Sequence, residues 1–176
     1  MNNNPPFIRF ITNDDHYNEV LSRVAGVRKS LWIGTAYIKD LHVKAGSSTE
    51  PFLGVIARLL KRGIEIRLIH AKEPGPAFQE DFDRYPVLRT SLERMLCPRV
   101  HFKMLIFDYE TAYIGSANLT GAGIGMKSST RRNFEAGILT NEPTLVEAAM
   151  EQFDSVWRGE HCPKCGRRQY CGDPVK

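Results

Sequence analysis

The chain has no stretch approaching the roughly 20 consecutive apolar residues needed to span a bilayer, and it shows no internal repeat. Its start, Met1-Asn-Asn-Asn-Pro-Pro, lacks the basic and apolar regions of a secretory signal. A membrane-spanning protein, a repeat array and a secreted protein are therefore not expected, and the expected location is cytoplasmic. Cysteine is scarce, with four in 176 residues. A disulfide-built scaffold is not expected either, because thiols in a reducing compartment serve as ligands or stay free. Charge is not one-sided: 24 Lys+Arg against 20 Asp+Glu give +4, a mild lean toward polyanions such as nucleic acid.

What is present is ordinary for a globular domain. Hydrophobic residues make up 42% and charged residues 25%, near the averages for soluble proteins, and the length suits one core. Residues 7–12, 31–38, 64–69, 100–107, 111–119 and 134–140 read as strands, with 31–38 apolar enough to be buried on both faces. Asn13-Asp14-Asp15 offers a cap to a helix with apolar spacing through Val20, Leu21, Val24 and Val27. Helices are expected over 50–61, with Pro51 in the first turn, over about 78–96, and over 143–156, where Gly159 ends the last. Residues 40–50 read as a loop around Gly46-Ser47-Ser48-Thr49, and residues 120–132 as a glycine-rich, basic loop. Strands alternating with helices argue an α/β fold, a mixed β-sheet sandwiched by helices. The expected division is a catalytic domain over 1–158 and a Cys-rich tail over 159–176.

The segment richest in chemistry is His101-Phe-Lys103-Met-Leu-Ile-Phe-Asp108-Tyr-Glu-Thr-Ala-Tyr-Ile-Gly115-Ser116-Ala-Asn118. Residues two apart on a strand share a face, so His101 goes with Lys103 and Ser116 with Asn118. A hairpin closed by Asp108 and Thr111, or by Phe107 and Ala112, sets His101 opposite Asn118 and Lys103 opposite Ser116. Asp108 has the other parity and reads as a scaffold or turn residue. Tyr109-Glu110 is a poor match to the favoured two-residue turns. The converging patch suits phosphoryl transfer. Imidazole serves as nucleophile or proton donor near neutral pH. Lys103 supplies charge to non-bridging oxygens, and Ser116 and Asn118 supply neutral donors. No carboxylate on this face is needed to hold a metal, so no catalytic cofactor is expected.

His-x-Lys-x4-Asp-x6-Gly-Ser-x-Asn matches the signature of the phospholipase D superfamily at each defined position. The chain resembles a single-motif, nuclease-like member of that family. The resemblance implies a phospholipase D-like fold, with Gly115 and Asp108 as structural parts of the motif. It also implies that Glu135, in Asn133-Phe-Glu135, steadies the catalytic histidine.

Double displacement at phosphorus asks for a nucleophile and a general acid on opposite sides of the in-line axis. The chain holds one copy of the motif. His16, His42, His70 and His161 lack a following lysine at the right spacing and read as surface or core histidines. A two-fold homodimer supplies the second His101. Nucleic acid is the expected substrate, with DNA favoured over RNA, because small single-motif members of the family look like nucleases. Lys127, Arg131 and Arg132 follow the motif, within reach of flanking phosphates. The alternatives are a phospholipid or other phosphodiester hydrolase, and a nucleic-acid-binding or nuclease subunit of a larger assembly such as a helicase or defence-system complex. No membrane partner is expected.

The tail reads His161-Cys162-Pro-Lys-Cys165-Gly-Arg-Arg-Gln-Tyr-Cys171. Cys162-x2-Cys165 places two thiolates on one ion, Cys171 adds a third, and Cys97 or His161 supplies the fourth. Zinc is the expected metal. A [4Fe-4S] cluster on Cys97, Cys162, Cys165 and Cys171 is the alternative. In either case the role is structural.

Overall fold

The computed structural model describes residues 5–39, 41–45 and 48–175; the chain start read for a signal lies largely outside them. Nine strands are described: β1 (Ile8–Thr12), β2 (Ser30–Thr35), β3 (His42–Ala45), β4 (Ser48–Pro51), β5 (Glu65–His70), β6 (Glu93–Leu96), β7 (Lys103–Phe107), β8 (Thr111–Gly115) and β9 (Ala136–Thr140). Four α-helices accompany them: α1 (Phe52–Lys61), α2 (Pro76–Asp83), α3 (Pro86–Ser91) and α4 (Pro143–Trp157). Seven strands form one sheet in the order β1-β9-β8-β7-β2-β5-β6. β5 pairs parallel with β2 and β6, and the remaining pairs are antiparallel.

Alternation along the central strands explains why the sheet needs cover on both faces. All six residues of β2 are buried. Leu31 and Ile33 face a core shared with α1, α2 and α3, including Phe52, Ile56, Leu59, Phe78 and Leu88. Trp32 faces the other core, where α4 contributes Val146, Ala149 and Phe153. Successive strand side chains point to opposite faces, so the apolar run over 31–38 reports a strand between two helical layers. The expected mixed sheet sandwiched by helices is what the chain forms. Arg67 ties α4 to the sheet edge. It pairs with Glu65 (3.2 Å), Glu93 (3.1 Å) and Asp154 (3.2 Å) and lies over the Trp32 and Trp157 rings.

Several elements depart from expectation. The first helix is a π-helical turn, His16–Val20, followed by a 3-10 helix, Leu21–Gly26. No side-chain cap precedes it; Asn13 sits in the left-handed region (φ 45°), and the Asp15 carboxylate turns back to the Thr12 N–H and hydroxyl. Pro51 stands just before α1 in an extended conformation rather than inside its first turn. The expected loop over 40–50 contains the β3–β4 hairpin, which pairs His42 with Pro51 and Val43 with Glu50; Gly46 and Ser47 lie outside the described residues. The single helix expected over 78–96 is three elements. Pro86 has no N–H to donate and restricts the residue before it; Tyr85 is accordingly non-helical (φ −122°, ψ 85°) and α2 ends. Beyond α3, β6 pairs Arg67–His70 of β5 with Glu93–Leu96.

One edge of the sheet gathers what the site needs. Thr35 lies beside His70 and His70 beside Leu96, so β2, β5 and β6 all end there. The Gly34–Met104 and Lys103–Gly115 pairs bring the start of β7 and the end of β8 to the same edge.

Candidate active site

Lys103 opens β7 on the face that carries Leu105 and Phe107, and His101 lies two residues before it. Phe102, of opposite parity, packs against α4 through Phe153 (6.3 Å between rings). His101 is exposed, whereas Lys103 is only 7% exposed. The Lys103 ammonium donates to the His101 carbonyl (2.6 Å) and lies 3.2 and 3.4 Å from the two ring nitrogens. Burial pushes the Lys103 pKa below the ordinary lysine value, and the Glu135 carboxylate opposes that shift. A desolvated cation beside an exposed imidazole is suited to holding an anion against that ring, because charge acts more strongly where water is excluded.

The expected register is one residue off. Phe107 pairs with Thr111 and Lys103 with Gly115, so neither His101–Asn118 nor Lys103–Ser116 is a cross-strand pair. The turn has three residues, Asp108, Tyr109 and Glu110, with Asp108 (φ 56°) and Tyr109 (φ 63°) both left-handed. That conformation is costly for a non-glycine residue, and contacts from elsewhere in the chain hold it. The Asp108 carboxylate accepts from the backbone N–H groups of Arg28 (3.0 Å), Lys29 (2.6 Å) and Ser30 (3.2 Å). The Tyr109 hydroxyl donates to Glu65 (3.1 Å), and its ring meets Trp32 edge-on at 5.7 Å.

Ser116 and Asn118 reach the site by another route. β8 ends at Gly115, and the following segment crosses to the end of β2, where Ile38 bridges Leu119. There the Asn118 Oδ1 accepts from the Tyr37 N–H (3.1 Å) and the Thr35 hydroxyl (3.4 Å). Its amide NH2 has no acceptor among the described residues. Ser116 Oγ donates to the Glu135 carboxylate and accepts from the Ala136 N–H (3.1 Å). The other Glu135 oxygen accepts from Asn133 (3.0 Å). Glu135 is thus fixed beside Ser116; among the described residues it makes no hydrogen bond to His101.

Beneath the site lies a group that the motif does not reveal. Tyr113 is fully buried, accepts the Ala117 N–H at its hydroxyl (3.4 Å) and packs edge-on against His16 at 5.3 Å. An added Cβ at Gly115 would stand 2.3 Å from the Tyr113 hydroxyl, and one at Gly137 would stand 2.7 Å from its ring. These two glycines make room for the tyrosine. Burial raises the Tyr113 pKa far above its usual value and lowers that of His16. Thr35 and Tyr37, which aim Asn118, carry no local signal: they lie more than eighty residues from it.

The other candidates are scattered. Lys127 and Arg131 are exposed on the loop after the motif, whereas Arg132 pairs with Asp14 (3.1 Å). His70 is buried, bonded through Nδ1 to the Lys72 carbonyl (2.8 Å) and through Nε2 to the Arg94 guanidinium (2.8 Å). A large cavity of about 960 Å³ lies at the other end of the hairpin, lined by Asp108, Tyr109 and α4 residues, and includes none of His101, Lys103, Ser116 and Asn118. Cys97, Cys162, Cys165 and Cys171 are all free thiols. Among the described residues, no three His, Cys, Asp or Glu side chains stand close enough to hold a metal ion, so neither zinc nor an iron–sulfur cluster is supported by the thiols as placed. Among the same residues no helix is long and apolar enough to cross a membrane.

The mixed seven-stranded sheet, with His101 against Lys103 where β7 begins, is the arrangement that the motif implied. Residues 20–157 match the family described as cardiolipin synthase, PLD-like domain. The chain belongs to this phospholipase D-like family. Solved structures share the fold. NucT from Helicobacter pylori matches with a TM-score of 0.63 at 15% identity, over 86% of this chain and 95% of that one. The phospholipase D family member Nuc from Salmonella typhimurium matches with a TM-score of 0.62 at 18% identity, over 87% and 95%. TrmBL2, an archaeal chromatin protein whose structure shows a novel mode of DNA binding, matches with a TM-score of 0.57 at 14% identity, over 89% and 55%. No curated protein matches the sequence.

Proposed function

We propose that this protein is a nuclease that cleaves DNA through a phosphohistidine on His101, in an active site completed by a second copy of the chain. The observation that carries the reading is the exposed His101 ring with the buried Lys103 ammonium against it, present once per chain. An imidazole nitrogen of His101 attacks phosphorus, and the bond to the leaving oxygen breaks as the N–P bond forms. The partner subunit's His101, protonated, gives its proton to that oxygen. Water then attacks phosphorus, the same imidazole takes up a proton, and the P–N bond breaks. Lys103 and the free Asn118 amide hold the non-bridging oxygens. Glu135 orients the site through Ser116.

Nucleic acid is favoured as substrate by the exposed Lys127 and Arg131 beside the motif and by the likeness in fold to a DNA-binding chromatin protein. The test is cleavage of labelled single- and double-stranded oligonucleotides in excess EDTA. Wild type and His101→Ala are compared, and samples quenched in detergent at alkaline pH, where a P–N bond survives, are analysed for labelled protein. The expected result is a phosphohistidine adduct in wild type only. Mixing wild type with His101→Ala chains should lower activity by more than the dilution, because mixed dimers hold one histidine. Cleavage of phosphatidylglycerol vesicles with intact oligonucleotides would replace this reading with a lipid hydrolase. Linear dilution behaviour would remove the shared site.

A further inference from the structure

The segment after α4 has almost nothing to hold it in place by burial. Apart from a short 3-10 turn at Arg168–Tyr170, residues 159–175 have no regular structure. Nearly all are exposed or half-exposed, and Tyr170 is 63% exposed. Fixing a residue's backbone costs about 1–2 kcal/mol, and small units without a core generally need a disulfide or a metal to offset this. The contacts that place the tail are few, and they converge on the end of β6. The Leu96 N–H donates to Asp173 (2.8 Å), the Cys171 thiol reaches the Leu96 carbonyl (3.6 Å), and Gly172 lies against the Leu96 side chain.

The four cysteines lie around that point. Cys97 directly follows β6, and its N–H donates to the His70 carbonyl (2.9 Å). Cys97, Cys162 and Cys165 line one cavity of about 190 Å³ together with His161, Arg99, Val100 and Phe102. Cys171 comes to the same end of β6 through its thiol on the carbonyl of Leu96, the residue before Cys97. Cys162 and Cys165 belong to one tight turn, with the Cys165 N–H on the Cys162 carbonyl (3.2 Å).

We propose that Cys97, Cys162, Cys165 and Cys171 close around a single zinc ion, which staples the tail to the end of β6. Three of the thiols line one cavity and the fourth lies beside it at Leu96, with no three of them at ligand spacing, and a bound ion would draw them together. Four thiolates and one Zn²⁺ satisfy the closed tetrahedral set of a structural site, with Arg99 offsetting the residual negative charge. The site also bears on chemistry. Cys97 is four residues before His101, and Val100 and Phe102 line the same cavity. An ion on Cys97 therefore anchors the segment that presents His101.

Elemental analysis of the reduced, full-length protein tests the proposal without reference to its substrate. One zinc per chain is expected, with all four thiols protected from alkylation until a chelator is added. Removing the ion should lower the melting temperature and free the four thiols. Cys162→Ser/Cys165→Ser should lose the ion. If that variant does not fold, titrating cobalt into reduced, metal-free wild type gives the same answer, since four thiolates give the intense visible bands of tetrahedral cobalt. A chain that neither carries nor takes up zinc or cobalt, with thiols that alkylate at once, would overturn the site. So would a stable disulfide within the quartet. Iron with the broad visible absorbance of a cluster would overturn zinc.

Discussion

The two ends of the β7–β8 hairpin are built from one motif yet do opposite kinds of work. At the turn end, both Asp108 oxygens are engaged and three backbone N–H groups are satisfied by a single carboxylate. At the open end, Lys103 is buried against an exposed imidazole, and the Asn118 amide hydrogens have no described acceptor. The first arrangement lowers the energy of the fold. The second leaves donors without partners among the described residues. About five residues of strand separate them, roughly 16 Å at the usual rise, so each end can be changed without touching the other.

The sharpest break of that contrast is His101→Ala. Turnover of the cleaved diester should fall by roughly a thousandfold or more, with an unchanged melting temperature because the ring is exposed. Lys103→Met should cost about a hundredfold or more in turnover. It should hold or raise stability, since it replaces a buried cation with an apolar chain of similar length. At the turn end the pattern should invert. Asp108→Ala strands three donors and releases two left-handed residues, so stability should fall by about 2–3 kcal/mol in urea unfolding. Activity per folded molecule should stay within about twofold, as expected of a residue roughly a strand's length from the chemistry. A thousandfold loss of turnover in folded Asp108→Ala protein would refute the division of labour.

The smallest effect belongs to neither end. Burial lowers the pKa values of His16 and His70 below the ordinary 6.5. The unfolded chain therefore binds protons near pH 6.5 that the folded chain refuses. Stability should be at its full value above about pH 6.5 and fall as pH drops below it. Protonation of His70 would place a positive ring against the Arg94 guanidinium. Urea midpoints at about pH 7.5 and about pH 5.5 should differ by an amount equivalent to about 1 kcal/mol, and His16→Gln should reduce that difference.

Much of this arrangement can be read from the chain. Alternation and apolar runs give the central strands, and Pro143 and Gly159 bracket α4. Pro86 is the local signal that divides the segment over 78–96. The β3–β4 hairpin had no such signal, because its residues are short, mixed strands packed beneath α1.

What the chain determined alone is therefore periodic or local: which strands are buried on both faces, which residues share a side of β7, and which residue types a phosphate-handling site must contain. The register of the β7–β8 hairpin was decided elsewhere. No two-residue turn suits Tyr109-Glu110, and a three-residue turn with two left-handed residues holds only because Ser30, Glu65 and Trp32 satisfy and pack it. In the same way Asn118 reaches the site through Thr35 at the end of β2 and Tyr37 just beyond it, not through its strand partner. Contacts between residues eighty apart obey no sequence period. They exist only once the sheet has brought the ends of β2, β7 and β8 to one edge.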